Sequence, residues 1–143
     1  MMNPMNKWIL SAAALLLLPL QAAAQTVTVG SDSGVGGDAL VIPVTFTAGA
    51  DIAGLDLDVT FDASQFSAAA ASCASNTACP GAFLNCSINP AGTANFILAA
   101  GAACVSGQLG TISLTIANAA TAGVKPLAVT VVGLSDSGGN DLP

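Results

Sequence analysis

Beyond residue 24 few side chains can do chemistry: eight aspartates, four cysteines and one lysine, Lys125. That stretch contains no His, Arg, Glu, Tyr or Trp. Without His there is no Ser-His-Asp or Cys-His relay and no His-bearing zinc site. Without Arg, and with a single Lys, there is no basic footprint for nucleic acid or anionic lipid. Paired carboxylates are the one acid–base option left, and the pair that spacing puts on one face is Asp56 with Asp58. An open sheet face desolvates such a pair too little to split it into an acid and a base, so the chain reads as non-enzymatic.

Two other aspartate groups could offer oxygen ligands to Ca²⁺: Asp32 with Asp38, and Asp136 with Asn140 and Asp141. Neither follows the D-x-[DN]-x-[DN]-G loop with its closing Glu. Turn chemistry accounts for both groups, because Asp, Asn and Gly accept tight-turn geometry, and no metal or cofactor is expected. The cysteines, Cys73, Cys79, Cys86 and Cys104, lack the paired C-x₂₋₄-C spacing of structural zinc and read as two disulfides. Three connectivities are open. The preferred one joins Cys73–Cys86 across the base of a loop and Cys79–Cys104 from its tip to a second loop.

Residues 1–24 have the parts of a secretory signal. Lys7 supplies the positive region, Trp8 to Leu18 the apolar core and Ala22-Ala23-Ala24 the cleavage site. The apolar core ends at Pro19 and Gln21, short of the roughly 20 residues a membrane span needs. Cleavage after Ala24 is expected to release residues 25–143 as one domain into the periplasm or the medium, with no membrane attachment. Its net charge is −7, eight Asp against one Lys.

These residues must be positioned by strands. Leu40, Ile42, Val44 and Phe46 alternate with Val41, Pro43, Thr45 and Thr47, and Leu55, Leu57, Val59 and Phe61 alternate with Asp56, Asp58, Thr60 and Asp62. Ile112, Leu114 and Ile116 form a third run, and Leu127, Val129 and Val131 a fourth. Shorter strands are expected at Thr26–Val29, Phe66–Ala71, Ala82–Ile88 and Ala94–Ala99. Pro43 within its run predicts an edge position or a bulge, and Gly101 and Gly107 read as turns. About eight or nine short strands with no helical period make an all-β fold, an antiparallel β-sandwich.

The order of these segments resembles the cohesin domains of cellulosomes. Gly37-Asp38 precedes the Val41 to Val44 strand, and Phe61-Asp62-Ala63 with Phe66 stands where cohesins carry Tyr-Asp-Pro before an apolar pair. Residues 108–142 resemble the family's closing section. The likeness runs from about Thr26 to the end, with a Cys-rich middle that is shorter than in cellulosomal cohesins. It implies a jelly-roll-like topology and a non-catalytic module that receives a calcium-loaded dockerin in an extracellular, polysaccharide-degrading setting. It also places Asp56, Asp58 and Thr60 on the partner-facing strand. Asp56 falls on a family Asp, and Gly54 stands where the family has Asn. Relatives continue past the counterpart of Leu142-Pro143 into a final strand near the first.

Two further roles stand beside dockerin-type recognition. The fold group includes carbohydrate-binding modules, although no Trp or Tyr remains to stack on a sugar after residue 24. The weakly charged, Ala/Gly/Thr-rich surface also suits a structural or surface-assembly subunit, in which an exposed edge accepts a strand from a neighbour.

Overall fold

A computed structural model describes residues 25–49, 51–89 and 92–143; the expected signal segment lies outside these. Eight strands follow one another: β1 (Thr26–Val29), β2 (Ala39–Thr47), β3 (Gly54–Thr60), β4 (Phe66–Ser72), β5 (Phe83–Asn89), β6 (Thr93–Ala99), β7 (Gly107–Ile116) and β8 (Ala128–Ser135). They form two four-stranded antiparallel sheets, ordered β1-β2-β7-β4 and β5-β6-β3-β8.

The period-two runs decide which faces meet. Leu40, Ile42, Val44 and Phe46 of β2, with Ile112 and Leu114 of β7, turn inward from the first sheet. Leu55, Leu57 and Val59 of β3, with Phe96 and Leu98 of β6, turn inward from the second. Burying one such side chain contributes about 1.5–3 kcal/mol, and this shared layer holds the sheets together. Phe61 and Phe66 meet edge to face at 5.7 Å between β3 and β4. Between them Asp62 caps a 3₁₀ turn, Ala63–Gln65, by accepting from Ser64 N.

Pro43 sits in β2, which is an inner strand and not an edge. Its carbonyl accepts from Gly30 N at 2.8 Å, one residue past the last β1 pair, Val29 with Val44. The missing Pro N–H therefore falls where the β1 ladder has ended, and β2 bulges next door between Val44 and Thr45. Strand β7 starts at Gly107, well before the alternating run of Ile112, Leu114 and Ile116. Gly110 in it is a packing glycine: a Cβ would come within 2.9 Å of Phe96 Cε1 and collide with the Ser72 carbonyl.

Cys73 pairs with Cys86, and Cys79 with Cys104. The first pair links the end of β4 to the middle of β5, the edge strands of opposite sheets. The second is buried and ties the 73–82 loop to the 100–106 loop. Asn76 shapes the first of these loops, donating to Cys79 O at 2.7 Å and accepting from Cys79 N at 3.1 Å. At the other end of the sandwich, Gln65 Oε1 accepts from Thr121 N and Oγ1 at 3.0 and 3.1 Å. Lys125 Nζ donates to Thr121 Oγ1 at 2.6 Å, which pins the 117–127 loop.

Candidate partner-binding face

Because Leu55, Leu57 and Val59 point to the core, Asp56, Asp58 and Thr60 must point out of the β5-β6-β3-β8 sheet. Strand register fixes their neighbours row by row. Asn85, Ile97, Asp56 and Gly133 form one row; Ser87, Asn95, Asp58 and Thr130 form the next; Asn89, Thr93, Thr60 and Ala128 form the third. The face is polar and β-branched, and among the described residues its only charges are the two carboxylates.

Asn95 organises that pair. Its Nδ2 donates to Asp56 Oδ1 and to Asp58 Oδ1, both at 2.9 Å. One amide thereby bridges two like charges that sit two residues apart, and all three side chains are partly buried. Hydrogen bonds to a charged acceptor are shorter and stronger than neutral ones, so the bridge holds both carboxylates in fixed positions. Thr60 is exposed at the end of β3, with its hydroxyl toward Ala128 O at 3.5 Å.

Gly54 continues the row of outward positions, and its lack of a side chain has a local cause. A Cβ there would collide with Ser135 Oγ on the paired strand β8. Phe83 lies at the β5 edge, where it is 68% exposed and pairs with Ala99. Phe46, Phe61 and Phe96 are buried and Phe66 partly so; Phe83 departs from that inward pattern. Asn95 and Phe83 were not singled out in the sequence. Alternation over 93–99 does put Asn95 outward, but no periodicity reveals that β6 lies beside β3.

Asp32, Asp38, Asp62 and Asp136 are occupied with turns. Asp32 accepts from Ser33 N and Val41 N, and Asp38 from Val35 N. Asp136 accepts from Gly138 N, Asn140 N and the Asn140 side chain. These bonds, led by the Asn140 side chain, hold the Asp136 carboxyl below its usual range. The Ser64 hydroxyl and amide do the same for Asp62. Among the described residues no three His, Cys, Asp or Glu gather as a metal-ligand group, so Asp32, Asp38, Asp136 and Asp141 do not come together as one.

The sequence model of the Cohesin domain family matches residues 25–142. No curated protein sequence matches the chain. Among solved structures, the sixth cohesin of scaffoldin B from Acetivibrio cellulolyticus, crystallised with a dockerin, aligns with a TM-score of 0.68 at 19% identity, over 83% of this chain and 91% of that one. The cohesin CaCohA2 from Clostridium acetobutylicum gives 0.62 at 22% identity, over 84% of each chain. A non-cellulosomal cohesin from the archaeon Archaeoglobus fulgidus gives 0.67 at 12% identity, over 85% and 84%. At these identities the structural likeness establishes the two-sheet fold.

Proposed function

The chain belongs to the cohesin domain family, and on that premise we propose that it captures a dockerin-type protein on the outer face of the β5-β6-β3-β8 sheet. The family is one of non-catalytic binding modules. The observation that carries the reading is the Asp56–Asn95–Asp58 bridge, a preset pair of anionic acceptors on an open face. A partner suited to it presents Lys, Arg or hydroxyl donors, and the net charge of −7 over residues 25–143 speeds its approach. Phe83 and Ile97 add apolar contact beside the carboxylates, as an interface needs.

Export with cleavage after Ala24 completes the proposal. Two disulfides suit an oxidising compartment, and dockerins act outside the cell. N-terminal sequencing of the exported protein should begin at Gln25. A start at Met1 would refute export by this route.

The test is capture of secreted proteins of the source organism on immobilised residues 25–143, first with calcium and then with EGTA. Dockerins fold around calcium, so the expected result is a dockerin-bearing protein retained only with calcium. Asp56→Lys with Asp58→Lys should abolish retention. Asp56→Asn with Asp58→Asn keeps an acceptor for Asn95 and separates loss of charge from loss of fold. Retention untouched by both double variants would sink this face as the contact surface. The carbohydrate alternative finds one exposed ring here, Phe83; retention on cellulose, xylan or chitin that Phe83→Ala removes would favour it instead.

A further inference from the structure

Neither disulfide reaches the end of the sandwich where the Ala63–Gln65 turn meets the 117–127 loop. Backbone contacts fix these two segments against each other. Gln65 N donates to Asp62 O at 3.1 Å, and Ala117 N donates to Gln65 O at 2.9 Å. The Gln65 carboxamide is clamped on both sides. Its Nε2 donates to Ser64 Oγ at 3.1 Å, and Ser64 Oγ donates in turn to Asp62 Oδ1 at 2.6 Å. Its Oε1 accepts from Thr121 N at 3.0 Å and from Thr121 Oγ1 at 3.1 Å. The amide therefore turns its oxygen, and not its nitrogen, toward Thr121.

Each of these groups has a place in an acyl transfer. Thr121 Oγ1 is a nucleophile in contact with the carboxamide. Lys125 Nζ lies 2.6 Å from Oγ1 and, as the free amine, is a base within reach of the hydroxyl proton. The Thr121 N–H already points at the oxygen on which negative charge develops during attack. Gln65 and Thr121 stand 56 positions apart in the chain, so folding alone brings them together. Groups held in contact this way react as if at very high local concentration. A plain tether needs one such bond. Nucleophile, base, acyl group and oxyanion donor in one place are more than a tether requires.

We propose that Thr121 and Gln65 join in an intramolecular ester, formed once per chain after folding. The hydroxyl turns to Lys125 Nζ and gives up its proton as Oγ1 attacks Gln65 Cδ. The tetrahedral intermediate carries its charge on Oε1, facing the Thr121 N–H. The proton on Nζ then passes to the amide nitrogen, the C–N bond breaks with its electron pair going to nitrogen, and ammonia leaves. Lys125 ends as the amine it began as. One C–N and one O–H bond are exchanged for one C–O and one N–H bond, with no oxidant or cofactor. Escape of ammonia into solvent draws the exchange forward. An amide to Lys125 is the less direct product, because Nζ touches Oγ1 and it is Oγ1 that touches the carboxamide. The ester ties the β3–β4 connection to the loop entering β8, at the end the disulfides leave open. It is a self-modification without turnover on other molecules, and it does not rest on the partner proposed for the Asp56–Asp58 face.

The test is peptide mapping by mass spectrometry after peptic digestion of the protein with its disulfides formed. Cyclisation of an N-terminal Gln25 also releases ammonia, so the reading is taken on the fragments holding residues 65 and 121. They should appear as one branched peptide, lighter by one ammonia than the two encoded pieces. Hydroxylamine, which cleaves esters and spares amides, should separate it. Gln65→Glu and Thr121→Val should each abolish the branched peptide, and Thr121→Ser should keep it. Lys125→Arg retains a cationic donor to Oγ1 but cannot accept a proton, so it should slow formation by about a hundredfold or more. The wild-type map carries the test even if a variant fails to fold. Separate, unmodified fragments from the wild type would leave a hydrogen-bonded tether only and overturn the proposal. So would a branch that survives hydroxylamine, which assigns the link to Lys125, and so would conversion of Gln65 to Glu, which assigns the acyl group to water.

Discussion

Asn95 on β6 lies directly across from Asp58 on β3, and its single side-chain amide donates to that carboxylate and to Asp56 two residues along the strand. Asn95→Ala removes the shared donor and leaves two like charges facing one another unbridged. We expect a loss of about 1 kcal/mol in denaturant unfolding, the usual worth of such a bond at a partly exposed site. Partner capture should weaken in the same variant, and Asn95→Asp should be worse in both assays. If Asn95→Ala unfolds at the wild-type midpoint, the bridge has no structural value.

Gly54 is predicted to resist substitution because of Ser135. Gly54→Ala drives a methyl into Ser135 Oγ and should destabilise by about 1–3 kcal/mol, the range for overpacking. Ser135→Gly in the same chain should restore most of the loss. A double-mutant cycle by chemical denaturation reads the coupling directly, and an additive result would refute the contact.

The two disulfides should differ in accessibility and in worth. They close separations of 13 and 25 residues, for which chain entropy gives roughly 3 kcal/mol each, slightly more for the longer. Cys79 and Cys104 are buried at 3% and 5% exposure, whereas Cys73 and Cys86 are partly exposed. Dithiothreitol titration with mass mapping should therefore open Cys73–Cys86 first. Cys79→Ala with Cys104→Ala should cost more stability than the other pair, because it also empties buried volume.

Acid should weaken the protein through its turns. Asp62 and Asp136 titrate below their usual value of 3.8, mainly because the Ser64 hydroxyl and the Asn140 side chain stabilise their charged forms. A carboxyl depressed in the folded state adds stability above its unfolded pKa, and loses it as pH falls through the folded one. The unfolding midpoint should thus be level near neutrality and decline below about pH 4. Asp136→Asn should flatten part of that decline. A midpoint that rises on acidification would contradict the assignment.

Much of this was legible in the sequence for a definable reason. Leu55, Leu57 and Val59 announce an inward face, and the same alternation exports Asp56 and Asp58, so both the strand and its candidate site follow from one period. What periodicity does not carry is which strands become neighbours. The Asn95 bridge depends on β6 lying beside β3, and the Gly54–Ser135 contact on β8 lying on the other side. Glycine misled in a specific way: Gly107 reads as a turn, yet it opens β7, and Gly110 beside it clears space for Phe96. Val129 and Val131 are recognisably inward-facing, but their exposure is set by what lies over them, a property of the edge and not of the strand.

The Lys125–Thr121–Gln65 tether has a consequence for resistance to proteolysis. Proteases of trypsin specificity cut after Lys or Arg unless proline follows. Residues 25–143 contain one such residue, Lys125, and it is followed by Pro126. Its side chain is engaged by Thr121 and partly buried. A module built this way gives that whole class of enzymes no bond to cut, folded or unfolded, and a tryptic digest would return it as a single fragment.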